Sequence, residues 1–251
     1  MFKRLFIGEK RINLTEINST NTFMKQLIQN SDNEVEGFIV TTKSQTKGRG
    51  QQGNTWKSEP GKNLTFSIYL KPNILVQNQF ILSKLVSLGI TDFLLDLGLQ
   101  NVHIKWPNDI YCGQQKIAGI LIENALKINK VYSTVVGVGL NVNQLNFNAI
   151  NNPTSIIKEI GVEQDLQAML NQVLFFIEKR YISLKQGKEK VIDANYLDLL
   201  FGINQLLHFK VGEEILSGEI KGVNSIGKLQ VLIDNQLKEF DLKEIEFLIN
   251  Y

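Results

Sequence analysis

The chain has 251 residues, 43% hydrophobic and 21% charged, with a formal net charge of +2: an ordinary globular composition, with room for one sizeable domain and a small one. So small a net charge, with no Lys/Arg block, argues against a nucleic-acid partner, and no apolar run approaches the roughly 20 residues of a membrane span or the core of a secretory signal. The single cysteine, Cys112, excludes an internal disulfide framework and a cysteine-rich zinc site, and His103 and His208 lie too far apart to suggest a ligand cluster, so the expectation is a cytoplasmic protein with no metal site built from its own side chains.

In chain order, Ser19-Thr20-Asn21 precedes a helical pattern over Thr22–Ile28 and has the residue types of a helix cap. Phe38–Thr42 reads as a strand. The segment Ser44–Trp56 (SQTKGRGQQGNTW) then sets Arg49 between Gly48 and Gly50, with Gly53 and Trp56 beyond. Glycines let a backbone approach a ligand and bare its N–H donors. An arginine fork suits a carboxylate or phosphate, and tryptophan offers a flat apolar face. The segment reads as a loop that closes over a small anion, although a GRG tract also suits a plain surface loop.

Glu59–Asn63 is turn chemistry, and in the strand Leu64–Leu70 the residues Leu64, Phe66, Ile68 and Leu70 share one face. Phe80–Leu97 has helical spacing, with Gly98 placed to end it. Val102–Trp106 alternates, Pro107-Asn108-Asp109 breaks it, and Cys112–Gln115 reads as a hairpin turn before Lys116–Glu123. Val131–Val142 reads as a central strand thinned by Gly137 and Gly139, with use as an edge strand pairing across a homodimer the competing expectation. Helices follow at Asp165–Tyr181 and near Glu189–Leu200. After about Gly202, the short β-prone pieces Leu206–Val211, Glu214–Val223, Lys228–Ile233 and Gln236–Asp241 alternate with turns, as in a small β-barrel. The expected fold is α+β: a mixed, mostly antiparallel sheet with flanking helices over residues 1–202, then a small all-β domain over 203–251.

The ordered set SQTKGRGQQGNTW, KWPNDIY (Lys105–Tyr111), KIAGIL (Lys116–Leu121) and GVGLNVN (Gly137–Asn143) resembles the biotin protein ligases over nearly the whole chain. That resemblance implies a class II synthetase-like catalytic domain and an SH3-like C-terminal barrel. It also implies biotin and ATP with Mg²⁺, and a biotin carboxyl carrier protein as acceptor through one lysine. Ser19, Thr20, Asn21 and Gln45 match positions that contact the biotin ureido group. Arg49 and Lys116 match cations that bring the carboxylate and the nucleotide phosphate together, with Gly48, Gly50 and Trp56 in the same loop and Lys105 as a further catalytic lysine. Asn108 and Asp109 fall in the active-site wall, Gly119, Gly137 and Gly139 on strands that back the ligand, and Asn141 near the adenine.

The family often carries another basic residue after GRG, where this chain has Gln51 and Gln52. The expected reaction forms biotinyl-5′-AMP and passes biotin to the carrier lysine. A lipoate or octanoate ligase or transferase of the same fold is the alternative, although an Arg-x-Ser-Gly-Gly-Gly type motif is missing. A DNA-binding repressor has no room before Ser19 for a helix-turn-helix, so the resemblance is to the short form of the ligase. A non-catalytic module that kept only the pocket would not need Arg49 and Lys116. His103, Cys112 and the Met and aromatic residues of Asp165–Tyr181 read as structural.

Overall fold

A computed structural model describes residues 5–29, 35–147 and 152–248. In chain order the elements are β1 (Arg11–Ile17), α1 (Thr20–Gln29), β2 (Ile39–Gln45), β3 (Leu64–Leu70), β4 (Ile74–Leu75), α2 (Ile81–Asp96), β5 (Val102–Lys105), β6 (Asp109–Cys112), β7 (Gln115–Lys127) and β8 (Lys130–Leu140). The helices α3 (Ile156–Ile160), α4 (Leu166–Lys185) and α5 (Glu189–Asp198) follow. The chain then closes with β9 (Leu206–Val211), β10 (Glu214–Val223), β11 (Leu229–Ile233), β12 (Gln236–Phe240) and β13 (Glu246–Phe247).

The first sheet runs β1-β2-β3-β8-β7-β6-β5, with β4 pairing β8. Only β1 and β2 run parallel; the remaining pairs are antiparallel, so the mixed, mostly antiparallel expectation holds. The final five strands form a separate antiparallel sheet, ordered β12-β11-β10-β9-β13.

Period two decides what each face of the large sheet meets. On β3, Phe66, Ile68 and Leu70 join α2 and α4 in one apolar core, while Tyr69 joins Met24 of α1 in a second, smaller one. On β8, Val136, Val138 and Leu140 enter the large core and Val135 the small one. The intervening positions, Thr65, Gly137 and Gly139, open onto a cavity on the α1 side. The sheet thus separates a helical core from a ligand-sized space. Asp165 caps α4, accepting the Ala168 N–H at 2.6 Å, and Gly98, at φ +88°, follows α2 as expected.

Two expectations need correction, and one strand was missed. Val131–Val142 is no edge, because β8 lies between β3 and β7. β1, with its sparse apolar pattern, escaped the sequence reading and occupies an edge instead. Asp109 does not belong to a strand-ending break: it opens β6, paired with Lys105 across a turn at Trp106–Asn108.

Candidate active site

The cavity on the α1 side has a volume of about 1020 Å³, at the upper limit of the range usual for small-molecule pockets. Its polar end is built where α1 begins. Thr20 N–H donates to Gln45 Oε1 at 2.8 Å, so Gln45 on β2 satisfies a helix-terminal donor from outside the helix. Ser67 Oγ, from β3, donates to Asn21 Oδ1 at 2.6 Å and lies 2.8 Å from Thr20 Oγ1. The Asn21 Nδ2 donates to Leu121 O at 3.2 Å and to Glu123 Oε2 at 2.9 Å. The Thr20 and Asn21 side chains, expected to cap the helix, are therefore committed to a cross-sheet network. Gly137 makes room for it: a Cβ there would stand 2.4 Å from Asn21 Oδ1.

The glycine-rich loop folds back on itself, with Gly50 N–H on Asn54 O at 2.7 Å and Trp56 N–H on Gly48 O at 3.1 Å. This lays the Trp56 indole over the two strand glycines. A Cβ on Gly139 would lie 2.2 Å from Trp56 Cε2, and one on Gly119 would lie 3.0 Å from Trp56 Cζ3. The Trp56 Nε1 is buried without a hydrogen-bond partner. Arg49 reaches across to Glu123, with Nη2 to Oε2 at 2.9 Å.

Opposite, Lys116 Nζ lies 2.6 Å from Asp109 Oδ1 and 5.7 Å from the centre of the Trp56 ring. Asn108 Nδ2 donates to Ile120 O at 2.6 Å, fixing the turn before β6. The Asn141 Nδ2 donates to Thr154 O at 2.9 Å. Burial pushes the Glu123 carboxyl up, but hydrogen bonds from Lys25 and Asn21, with the charges of Arg49 and Lys25, outweigh it and hold the group below the ordinary glutamate range.

Of the residues expected from the sequence, Ser19, Thr20, Asn21, Gln45, Arg49, Gly50, Trp56, Asn108, Asp109, Lys116, Gly119, Gly137, Gly139 and Asn141 line this one cavity. Gly48 and Lys105 do not. Gly48 packs behind the loop, where a Cβ would meet Trp56 O at 2.3 Å. The Lys105 ammonium stands over the rings of Tyr111 (5.1 Å) and Phe247 (5.4 Å). Burial lowers its pKa, opposed by Asp109 and assisted by Lys116.

The sequence reading missed Glu123, Gln144, Phe147 and Leu242. Glu123 was within reach, since it continues the Gly119, Leu121 face of β7 by period two. Gln144 and Phe147 line the cavity just beyond the GVGLNVN stretch. Leu242 reaches it from the C-terminal sheet region, and no local pattern marks such a contact. His103, stacked on Phe201 at 5.0 Å, and Cys112 lie outside the cavity lining, in keeping with structural roles.

Residues 14–141 match the model of the biotin/lipoate A/B protein ligase family. Over 244 residues the chain is 26% identical to the bifunctional ligase/repressor BirA of Bacillus subtilis (strain 168), covering 96% of this chain and 74% of that protein. It is 26% identical over 202 residues to the biotin–[acetyl-CoA-carboxylase] ligase of Mycobacterium tuberculosis, covering 78% of this chain and 73% of that protein. The biotin protein ligase of Aquifex aeolicus in complex with biotin and ATP superposes with a TM-score of 0.77 at 26% identity, covering 95% of this chain and 98% of that one. The matched segment spans α1, the glycine-rich loop and the strands that carry Asp109, Lys116 and the cavity glycines, and on that ground this chain belongs to the biotin/lipoate A/B protein ligase family.

Proposed function

We infer that this chain is an ATP-dependent biotin protein ligase, which activates biotin as biotinyl-5′-AMP and transfers it to a lysine of a biotin carboxyl carrier protein. The observation that carries the reading is one cavity lined by Arg49 and Lys116 together with the Asn21 and Gln45 amides. Both hydrogens of Asn21 Nδ2 are spent on Leu121 O and Glu123, so Asn21 has only acceptor capacity left for a ligand. Gln45 Oε1 accepts from Thr20 N and Thr20 Oγ1, which leaves its amide hydrogens to donate. An acceptor beside a donor complements the N–H and C=O of a ureido ring. The dithiolane of lipoate offers no N–H, so this pair favours biotin over the lipoate alternative.

In the first half-reaction a biotin carboxylate oxygen attacks the α-phosphorus of ATP and pyrophosphate leaves. Two anions must meet, and Arg49 and Lys116 offset their repulsion with charge-assisted donors on opposite sides of the cavity. In the second, the neutral carrier amine attacks the acyl carbon, forming the amide and losing one N–H proton to solvent, and AMP leaves with the C–O bond electrons. No enzyme nucleophile is needed; positioning and charge stabilisation do the chemistry. Trp56 over Gly119 and Gly139 supplies an apolar wall that keeps water from the anhydride.

Asp109 and Glu59 are the carboxylates in the cavity lining, a donor set suited to Mg²⁺ carried on nucleotide phosphates rather than to a protein cage. The ion would neutralise charge on the departing pyrophosphate. Ser19 and Thr20 complete the ureido end, and Gly50 holds the closing loop. Asn108 supports the wall, and Asn141 and Phe147 serve the adenine end. Lys105, off the cavity, acts through Asp109. Residues 1–202 form the catalytic unit and 203–251 a C-terminal one. The protein works in the cytoplasm without nucleic acid, and a homodimer would use the β1 edge.

The test is pyrophosphate exchange into ATP, run with biotin and lipoate in parallel. Exchange dependent on biotin alone supports the reading; exchange with lipoate alone, or with neither, overturns it.

A further inference from the structure

Glu123 gathers three donors from two segments, two on α1 and one on the glycine-rich loop. Lys25 Nζ of α1 reaches Oε1 at 2.7 Å, while Asn21 Nδ2 and Arg49 Nη2 both reach Oε2 at 2.9 Å. The carboxylate stands on the cavity face of β7, two residues beyond Leu121 and paired with Val135 of β8. Through Asn21 it connects onward to Ser67, Thr20 and Gln45. One anionic side chain therefore touches both the polar end of the cavity and the arginine of the closing loop.

We propose that Glu123 is a positioning residue with two tasks: it fixes the Asn21 amide with its oxygen as the atom left for a ligand, and it parks Arg49 at the cavity until a substrate anion takes its place. The first task follows from valence. An amide turned the other way would set Asn21 Oδ1 against the Glu123 carboxylate and the Leu121 carbonyl, acceptor against acceptor, which that environment forbids.

The second follows from charge. The Arg49 side chain is 42% exposed, and its pair with Glu123 is one bond to an oxygen shared with Asn21. Such a contact is weak enough to exchange for a ligand that offers a bidentate anion. When Arg49 departs, Lys25 keeps the carboxylate compensated, so Asn21 stays aimed while the loop closes. The proposal rests on the ligase reading for the identity of the ligand, but the parked arginine is a property of the free protein.

The test is hydrogen–deuterium exchange over residues 46–56 of the ligand-free protein, combined with calorimetric titration of biotin. Glu123→Gln keeps the size of the side chain but cannot satisfy all three donors. It should speed exchange in the loop by about tenfold and weaken biotin binding by about tenfold, the loss of one charge-assisted bond in each case. KM for ATP should move less than twofold, on the order of the noise for a group that never meets the nucleotide. A role in stability alone would raise both KM values together.

Arg49→Met removes the other half of the contact, so its loop exchange should rise as much, and the double variant should rise no further. If Glu123→Gln does not fold, Arg49→Met alone decides the loop arm: unchanged exchange there overturns the parking. Wild-type protein that fails to bind biotin sinks the ligase reading while leaving the loop measurement intact. Wild-type binding with unaltered biotin affinity in Glu123→Gln overturns the positioning role.

Discussion

Lys116 and Asp109 form a 2.6 Å ion pair across β6 and β7, and a bulge is what brings them to the same face. Asp109 pairs with Gly119 and Ile110 with Ala118, but Tyr111 pairs with Lys116, so Ile117 is the extra residue. Strict alternation would aim Lys116 with Ala118 into the helical core. The bulge re-aims it onto the Gly119 face, beside Trp56 and the cavity.

For the proposed adenylation, that placement offers Lys116 as a preorganised cation at the cavity. Lys116→Ala should lower biotin-dependent pyrophosphate exchange by about 10²–10³-fold, the usual loss for one such donor. Biotin affinity measured without ATP should change far less. Near-normal exchange would remove Lys116 from the mechanism.

Arg49→Gly takes the loop's cation away from both Glu123 and the ligand. Adenylate formed in the cavity should then escape, at a rate raised by about tenfold or more for a lost charge-assisted bond. Stopped-flow dissociation of biotinyl-5′-AMP and the labelling of bystander lysines both read this. An unchanged dissociation rate would count against the assignment.

Gly137→Ala puts a methyl 2.4 Å from Asn21 Oδ1, so the Asn21 amide must shift to admit it. Overpacking of this kind costs about 1–3 kcal/mol. The variant should raise KM for biotin by about tenfold while KM for ATP moves little. Equal changes in both would place the ureido end elsewhere.

Trp106 ties the β5–β6 turn to the C-terminal sheet, its Nε1 donating to Gly227 O at 2.8 Å. Trp106→Phe leaves that carbonyl unpaired, at a cost of about 1–3 kcal/mol. Each kcal/mol should lower the melting temperature by about 2–4 °C for a chain of this size. Calorimetry showing no loss would mean the two sheets are held by other contacts.

Burial, joined by hydrogen bonding to and charge from Glu159, pushes the Cys112 thiol from its ordinary 9.0 up to about 12. The unfolded chain therefore releases this proton near pH 9 while the folded chain keeps it. Between those limits the unfolded state binds fewer protons, so stability falls as pH rises through that window. Tyr111, pushed up to about 12 by burial and then by Asp109, acts in the same sense. Urea melts at alkaline pH should show the decline, and native Cys112 should resist iodoacetamide until the protein unfolds.

Much of this was legible in the chain. The alternation of Leu64, Phe66, Ile68 and Leu70 announced the core face of β3, because period two is written residue by residue. Glycines at 119, 137 and 139 marked where the Trp56 ring and the Asn21 amide lie against the strands, and Gly98 marked a helix end by local backbone chemistry. Other features were set only when distant segments met. Gln45 caps a helix 25 residues away in sequence, and Leu242 arrives from the turn between β12 and β13. The bulge that turns Lys116 outward depends on its register with β6, and the charge that holds Arg49 lies on β7, 74 residues further on. Local sequence specifies which side of a strand is apolar and where a helix stops; strand register and charge pairing depend on which partners the whole chain brings within reach, and only the folded structure decides that.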